Sequence, residues 1–222
     1  MPSKFKITIY ACIRSKDFAK ELLAVFDQCN LLDDLVFYDN ISTDLPETLY
    51  GFRIITNDED AVAYLEQSGG EFVIGMGNPH NRKFMYEKFV ALGGKPANII
   101  SPFAKVGRFG IEIESGTIIM TDAILSADIK IGKGCLINKT SIIGNGANIG
   151  DFVEISPAVQ VLGSCTIGNN TQICAGVTVI PRTKIGSNVV VAAGAVVTKN
   201  VPDNCMVAGI PAVIKKYFTP KK

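Results

Sequence analysis

The 222-residue chain has no tryptophan and a single histidine, His80. One histidine excludes a multi-histidine metal centre within one chain. No apolar run approaches the ~20 residues that a membrane-spanning helix needs. The opening MPSKFKITIYACI contains an apolar stretch, but it is short, it alternates, and it lacks a small-x-small cleavage site. It reads as a first β-strand rather than a signal peptide. Charge of one sign is equally scarce. The 22 Lys and Arg against 21 Asp and Glu leave a net +1, and the basic residues form no stripe. That balance argues for neither a nucleic acid nor a membrane surface as partner. The six cysteines (Cys12, Cys29, Cys135, Cys165, Cys174 and Cys205) show no CxxC spacing and no compact framework. Reduced thiols in a cytoplasmic protein are the expectation.

What is present divides into two halves with different periodicities. In residues 1–102, FKITIY (5–10), LVFYDN (35–40) and EFVIGMG (71–77) read as strands. Residues 16–28 carry Phe18, Leu22, Leu23 and Phe26 at helical spacing, Asn57-Asp58 is placed to cap a helix over 58–67, and 80–93 reads as a helix ending at Gly93. A short last strand is expected at 98–100. Strands alternating with helices predict a small βαβ domain with a parallel sheet.

From residue 103 to 222 a six-residue beat replaces this pattern. Stepping by six from Ile113 gives Ile119, Leu125, Ile131, Ile137, Ile143, Ile149, Ile155, Val161, Ile167, Ile173, Val179, Ile185, Val191 and Val197: fifteen aliphatic residues without a break. Two residues before most of them stands a small or β-branched residue, and just after five of them stands glycine (Gly132, Gly144, Gly150, Gly168, Gly186). An ordinary half-buried strand would alternate with period two. A period of six predicts a parallel β-helix whose three faces close in 18 residues, with the aliphatic residue inside and glycine or asparagine supplying positive φ at the corners. At ~4.8 Å per coil, residues 113–197 make a rod on the order of 24 Å long. Cys135 and Cys165 fall on inward positions and read as packing.

The βαβ region, the uninterrupted hexapeptides and the closing GAVVTKNVPDNCMVAGIPAVIKKY (194–217) together resemble the sugar O/N-acyltransferases of the left-handed β-helix class, related to sialic acid O-acetyltransferase and to the bacillosamine and perosamine N-acetyltransferases. The resemblance covers nearly the whole chain and is strongest over 140–214. It implies a homotrimer with sites between neighbouring rods, acetyl-CoA or a similar thioester as co-substrate lying along the rod, and a nucleotide-linked sugar held by the N-terminal domain, in surface-polysaccharide synthesis.

One stretch departs from the pattern. That class carries sequences such as GHDxxIGDFVxIS, whose histidine takes a proton from the attacking amine or hydroxyl while the acid orients the ring. Here Asn145 stands at the histidine, Gly146 at the acid, and Glu154 at a second position that is often histidine. An amide is no base at neutral pH. Three readings remain open: Asn145 orients the acceptor while solvent or Glu154 takes the proton; Asn145-Gly146 is only a turn pair; or the site has moved to other groups. A Glu154 base would work best with a pKa raised by burial.

The resemblance implies further site residues, each with a plainer alternative. The class has a glycine-rich loop after the first strand; here residues 11–17 contain no glycine, and Arg14 and Lys16, with Ser15 between them, would meet the nucleotide diphosphate instead, or form a solvated loop that caps the next helix. Asp39 would bind the nucleotide, or close a turn. Gly75, Gly77 and Asn78, with Arg82 after them, match the loop beside the sugar nucleotide. Ala175, Gly176, Ala193 and Gly194 match small residues along the CoA channel, although a β-helix favours small residues anyway. Lys199 would meet CoA phosphate or stay solvated, and Pro211 belongs to the segment closing over the far end of the rod. The expectation is an acetyl-CoA-dependent sugar acyltransferase acting on an amino or hydroxyl group. The alternative is a catalytically silent β-helix protein that binds sugar nucleotide or supports a complex. A β-helix carbonic anhydrase is excluded because the rod contains no histidine.

Overall fold

The computed structural model describes residues 7–10, 16–33 and 35–219. The N-terminal region runs β1 (Ile7–Tyr10), α1 (Lys16–Gln28), β2 (Val36–Tyr38), β3 (Thr48–Leu49), β4 (Phe52–Ile55), α2 (Asp58–Ser68), β5 (Glu71–Ile74), α3 (Pro79–Ala91) and β6 (Lys95–Pro96). The sheet order is β3-β4-β2-β1-β5-β6. Every pairing is parallel except the β3–β4 hairpin.

Alternation along the strands sends Phe37 and Val73 to one side, under Leu22, Val25 and Phe26 of α1. Val36, Tyr38, Phe72 and Ile74 go to the other, under α2 and α3. The expected cap holds: Asn57 Oδ1 accepts from the Asp60 amide at 2.8 Å. The sequence reading misses β4. Its four residues FRII carry too few alternations to stand out, and what orders them is their pairing with β2.

The strand expected at 98–100 is the first rung of the rod. Ile99–Ile100, β7, pairs with Ile118–Ile119 rather than with the α/β sheet. From there the rod closes three faces. The first face holds eight strands, from Ile99–Ile100 to Cys205–Ala208 and the antiparallel C-terminal strand Val213–Tyr217; the second holds six and the third five. Parallel pairing joins residues 18 apart, for example Ile131 with Ile149 and Ile149 with Ile167. Each member of the six-step series from Ile119 to Val197 is at most 2 % exposed. Burying one such side chain is worth about 1.5–3 kcal/mol, so the repeat itself is the rod's stability. Cys135 and Cys165 point into this core as expected, and burial pushes the Cys135 thiol up to about 12.

Positive φ occurs at the corners three residues before each aliphatic residue, at glycine and asparagine as expected (Gly134, Gly146, Gly176, Gly194, Asn170, Asn188) but also at Phe152, Ala158, Ser164 and Arg182. The glycines just after the aliphatic residues have another reason. Gly132, Gly150, Gly168 and Gly186 are required by space. A Cβ there would stand 2.2–2.6 Å from Asp151 Oδ1, Asn169 Oδ1, Ser187 Oγ or Asp203 Oδ1 of the next coil. Those four side chains fold over the glycines and accept the amides of Lys133, Asp151, Asn169 and Ser187 one coil below, at 2.8–3.1 Å.

The α/β region docks on the outer side of the first face. Ile118 and Leu136, outward residues of successive coils, are buried with Leu22, Val25 and Phe26. Further along the same column, in register, come Glu154, Gln172, Val190 and Met206. The change from aliphatic to polar marks where the docking surface ends.

Candidate active site at the junction of the two domains

Helix α3 starts at this boundary. Asn78 caps it, its Oδ1 accepting from the Asn81 amide at 3.1 Å, and Pro79 fills the first turn. One turn on, Arg82 is wholly buried. Its Nε donates to the Gly134 carbonyl at 2.7 Å, and Nη2 donates to Phe152 and Val153 at 3.2 and 3.0 Å. Nη1 donates to the Met76 carbonyl at 2.9 Å and to that of Gly77. All five guanidinium hydrogens are used, and each goes to main chain. Arg82 therefore binds the loop after β5 to the rod and has no donor left for a ligand. The resemblance set Arg82 beside the sugar nucleotide, but its neighbours in sequence, His80, Asn81 and Lys83, are polar too, so nothing along the chain marked it as the buried residue.

The Val153 carbonyl held by Arg82 precedes Glu154. Glu154 is buried, 7 % exposed. Its Oε1 accepts from Ser156 Oγ at 3.2 Å, the Gln172 side chain lies near the carboxylate, and Oε2 is buried with no hydrogen-bond partner. Burial raises its pKa, while Arg82, Ser156 and Gln172 pull the other way. The backbone of Gly77 passes directly over it: a Cβ at Gly77 would sit 3.5 Å from Oε1. The fold thus brings together two candidates 77 positions apart in the chain. A carboxylate in such surroundings can accept a proton and can hydrogen-bond an amine or hydroxyl.

Asn145 lies elsewhere. It is exposed at the corner between the second and third faces, and its main-chain carbonyl accepts from the Ser164 amide at 2.7 Å. Gly146 beside it takes the left-handed conformation that each corner repeats, φ +70°. Nine residues separate Asn145 from Glu154, half of an 18-residue coil, so one chain carries them on opposite sides of the prism.

The remaining candidates are distributed as follows. Asp39 is buried at the end of β2 and accepts from the Ile41 amide, the Ser42 amide and Ser42 Oγ at 2.9, 3.1 and 2.8 Å, closing the turn there. Gly75 follows β5 and is buried. Arg14 and Ser15 lie outside the described residues. Ala175, Gly176, Ala193 and Gly194 are exposed on the corner that follows the first face, stacked through a 2.9 Å bond from the Gly194 amide to the Ala175 carbonyl. The space above Gly176 and Gly194 is open. Lys199 and Pro211 are exposed near the far end of the rod.

A cleft of about 530 Å³ opens one coil from Glu154, at its register partner Gln172. Asn78, Pro79 and His80 at the start of α3 make one wall; Asn170, Asn188 and Asn204, on successive coils, make another. Gln172 and Val190 of the first face form the floor, and Phe218 closes one end. The sequence reading did not find this cleft. Its signal is an asparagine recurring one coil apart in a corner column whose earlier members are Gly116, Gly134 and Phe152. Among the described residues no cluster of three or more His, Cys, Asp or Glu could hold a metal ion, and no helix is long and apolar enough to cross a membrane.

Known proteins share this architecture. Residues 164–199 match the family profile for the bacterial transferase hexapeptide (six repeats). No curated protein matches the sequence. Among solved structures, a histidine-to-asparagine variant of perosamine N-acetyltransferase from Caulobacter crescentus, in complex with CoA and GDP-perosamine, has a TM-score of 0.85 at 24% identity, covering 95% of this chain and 96% of that one. The acetyltransferase domain of PglB from Neisseria gonorrhoeae FA1090 has a TM-score of 0.82 at 25% identity, covering 94% and 99%. WeeI from Acinetobacter baumannii AYE has a TM-score of 0.70 at 24% identity, covering 94% and 98%. The PglB domain is also known in complex with acetyl coenzyme A. The fold expected from the sequence, an α/β N-terminal region followed by a left-handed parallel β-helix, is the fold these structures share.

Proposed function

We propose that the protein moves an acyl group from a coenzyme A thioester, acetyl-CoA or a close analogue, to an amino or hydroxyl group of a nucleotide-linked sugar, in the building of surface glycans. The observation that carries this reading is Glu154: a buried carboxylate with one unpartnered oxygen, beneath the residue 75–77 loop and on the rod face that leads to the open corner of Ala175 and Ala193. The C-terminal ends of β1 and β5, where a parallel sheet of this order reverses its winding, form the natural crevice for the nucleotide. Small exposed residues on the rod corner leave main-chain groups free to bond an extended amide chain such as the pantetheine arm. The relatives seen with CoA and GDP-perosamine support both assignments.

In this reading the acceptor nitrogen or oxygen attacks the thioester carbonyl while Glu154 takes its proton. The C–S bond then breaks and the thiolate of CoA leaves, taking up a proton. An amine needs less help from a base than a hydroxyl, which suits a carboxylate in place of imidazole. Asn145 contributes as an amide that orients the acceptor. Because it sits half a coil from Glu154, it does so from a neighbouring chain, as in a homotrimer with rods side by side. The Caulobacter relative carrying asparagine in place of a histidine is seen in complex with CoA and GDP-perosamine, which supports a reading in which an amide is tolerated.

The test is release of CoA thiol from acetyl-CoA in the presence of UDP-, GDP- and dTDP-linked amino and hydroxy sugars. Thiol release with one of them supports the transferase. Tight binding of a nucleotide sugar with no release from any of them would make the protein a silent binder instead.

A further inference from the structure

We propose that the cleft between α3 and the rod is the subsite for the uncharged sugar ring of the acceptor, with Asn170 and Asn188 reading its hydroxyls. The assignment rests on the function proposed above and adds the residues that set which sugar is taken.

Four observations converge on it. First, Asn170 Oδ1 is buried and has no hydrogen-bond partner. Buried acceptors are almost always satisfied, and a turn of this amide toward the cleft it lines would set the oxygen on a ligand hydroxyl. Second, Asn188 Nδ2 donates to Asn204 Oδ1 at 3.0 Å. That bond fixes the Asn188 amide and leaves its carbonyl oxygen and second N–H to pair with a ligand that both donates and accepts. Third, the backbone does not demand asparagine here. Both residues have left-handed φ, 55° and 54°, but equivalent corners carry Ala158, Ser164 and Arg182. Fourth, the lining among the described residues holds no Lys, Arg, Asp or Glu. Amides and a hydroxyl alternate with Val189, Val190 and Phe218, a surface made for a ring with polar edges and an apolar face. A sugar acid would meet no cationic side chain among these.

The position fits the chemistry. Asn78 and His80 form the wall that directly follows the residue 75–77 loop, so a group attached to a nucleotide bound at the end of β5 reaches the cleft first. Gln172 on the floor is the register partner of Glu154, and its side chain lies near the carboxylate. A ring in the cleft therefore lies one coil from the proposed base. The pantetheine arm of CoA offers similar uncharged donors and acceptors, but the open corner of Ala175 and Ala193 lies at the other edge of the first face.

The experiment is calorimetric titration of the full chain and of the variants Asn170→Ala and Asn188→Ala. Alanine is compatible with this backbone, as Ala158 shows, and thermal melting checks that the variants fold. The ligands are CoA, GDP-perosamine and other GDP-, UDP- and dTDP-linked amino sugars, and the matching nucleoside diphosphates. The expected result is a loss of about ten- to a hundredfold in affinity for the nucleotide sugar, with nucleoside diphosphate and CoA bound as by the unaltered protein. Unchanged sugar-nucleotide affinity in both variants overturns the subsite and leaves the transferase reading standing. A loss confined to CoA assigns the cleft to the pantetheine arm and overturns the proposal. Failure of the unaltered protein to bind any nucleotide sugar overturns the subsite and the function together.

Discussion

Arg82 and Glu154 meet at the domain junction without pairing directly. The guanidinium gives all five hydrogens to main-chain carbonyls, and the carboxylate accepts from Ser156 Oγ. Each nonetheless acts on the other through the low-dielectric interior: Arg82 draws the Glu154 pKa down against burial, and Glu154 holds up an Arg82 pKa that burial lowers.

Replacing Glu154 with glutamine tests the carboxylate in two ways. Its folded-state pKa is raised, so the folded form binds the proton more tightly than the unfolded form does. The corresponding stability is full below the unfolded pKa and disappears as pH rises through the folded one. Denaturant titrations should show wild type losing stability over that window and Glu154→Gln lacking the loss. In transfer assays, kcat/KM of the wild type should rise through the same window, and the variant should lose both the rise and most of its activity.

Arg82→Met leaves the Met76, Gly77, Gly134 and Phe152 carbonyls at the junction without a donor, Val153 keeping the Leu136 amide, and leaves Glu154 without its balancing charge. The expected loss is more than about 3 kcal/mol in urea unfolding, with Arg82→Lys recovering only part because an ammonium cannot span both domains in one plane.

Ile149 stacks between Ile131 and Ile167 inside the rod. Ile149→Ala should cost about 2–5 kcal/mol, and Ile149→Asp should prevent folding. An aspartate variant that melts with the wild type would remove the prism from the account of this chain.

Two glycines separate packing from ligand access. Gly168→Ala places a methyl 2.6 Å from the main chain of Gly186 and Ser187 and should lower stability by about 1–3 kcal/mol or more. Gly194→Ala meets open space and bears only its left-handed φ of 68°, about 1–2 kcal/mol. On the same exposed corner, Ala193→Trp should leave melting nearly unchanged and raise the Kd for acetyl-CoA by more than about tenfold. Unaltered CoA binding there would move the thioester off this corner.

Asn145→His with Gly146→Asp restores the pattern of the resembling class. Aspartate suits the backbone of position 146, because Asp122 and Asp128 occupy equivalent corners at φ 60° and 53°. The double variant should fold normally and turn over faster than wild type, with a new pH limb near the imidazole range. If the double variant turns over more slowly than wild type, Asn145 makes a contact that histidine cannot make.

The fold was legible where a local pattern repeats. Fifteen aliphatic residues six apart fix what points inward, because only a three-sided coil presents every sixth residue to one axis. Asn57 and the apolar spacing of α1 likewise announced two helices. Corner glycines and asparagines take the positive φ expected of them, but a need for glycine can come from its own φ or from a side chain on the next coil, and only the stacked structure tells these apart. Asp39, read as a nucleotide ligand or a turn, is seen closing a turn.

What the tertiary structure decided was which outward residues meet. Periodicity assigned Glu154 to the outside of the rod, where a carboxylate would be solvated and ordinary. Docking of the α/β region over Ile118 and Leu136 buried it instead, set Gly77 above it, and made Arg82 a main-chain clasp. The cleft and its orphaned Asn170 oxygen have the same origin. An eighteen-residue coil fixes the spacing of side chains along a face. Where a second domain ends upon that face is set by contacts between residues dozens of positions apart, which no local pattern encodes.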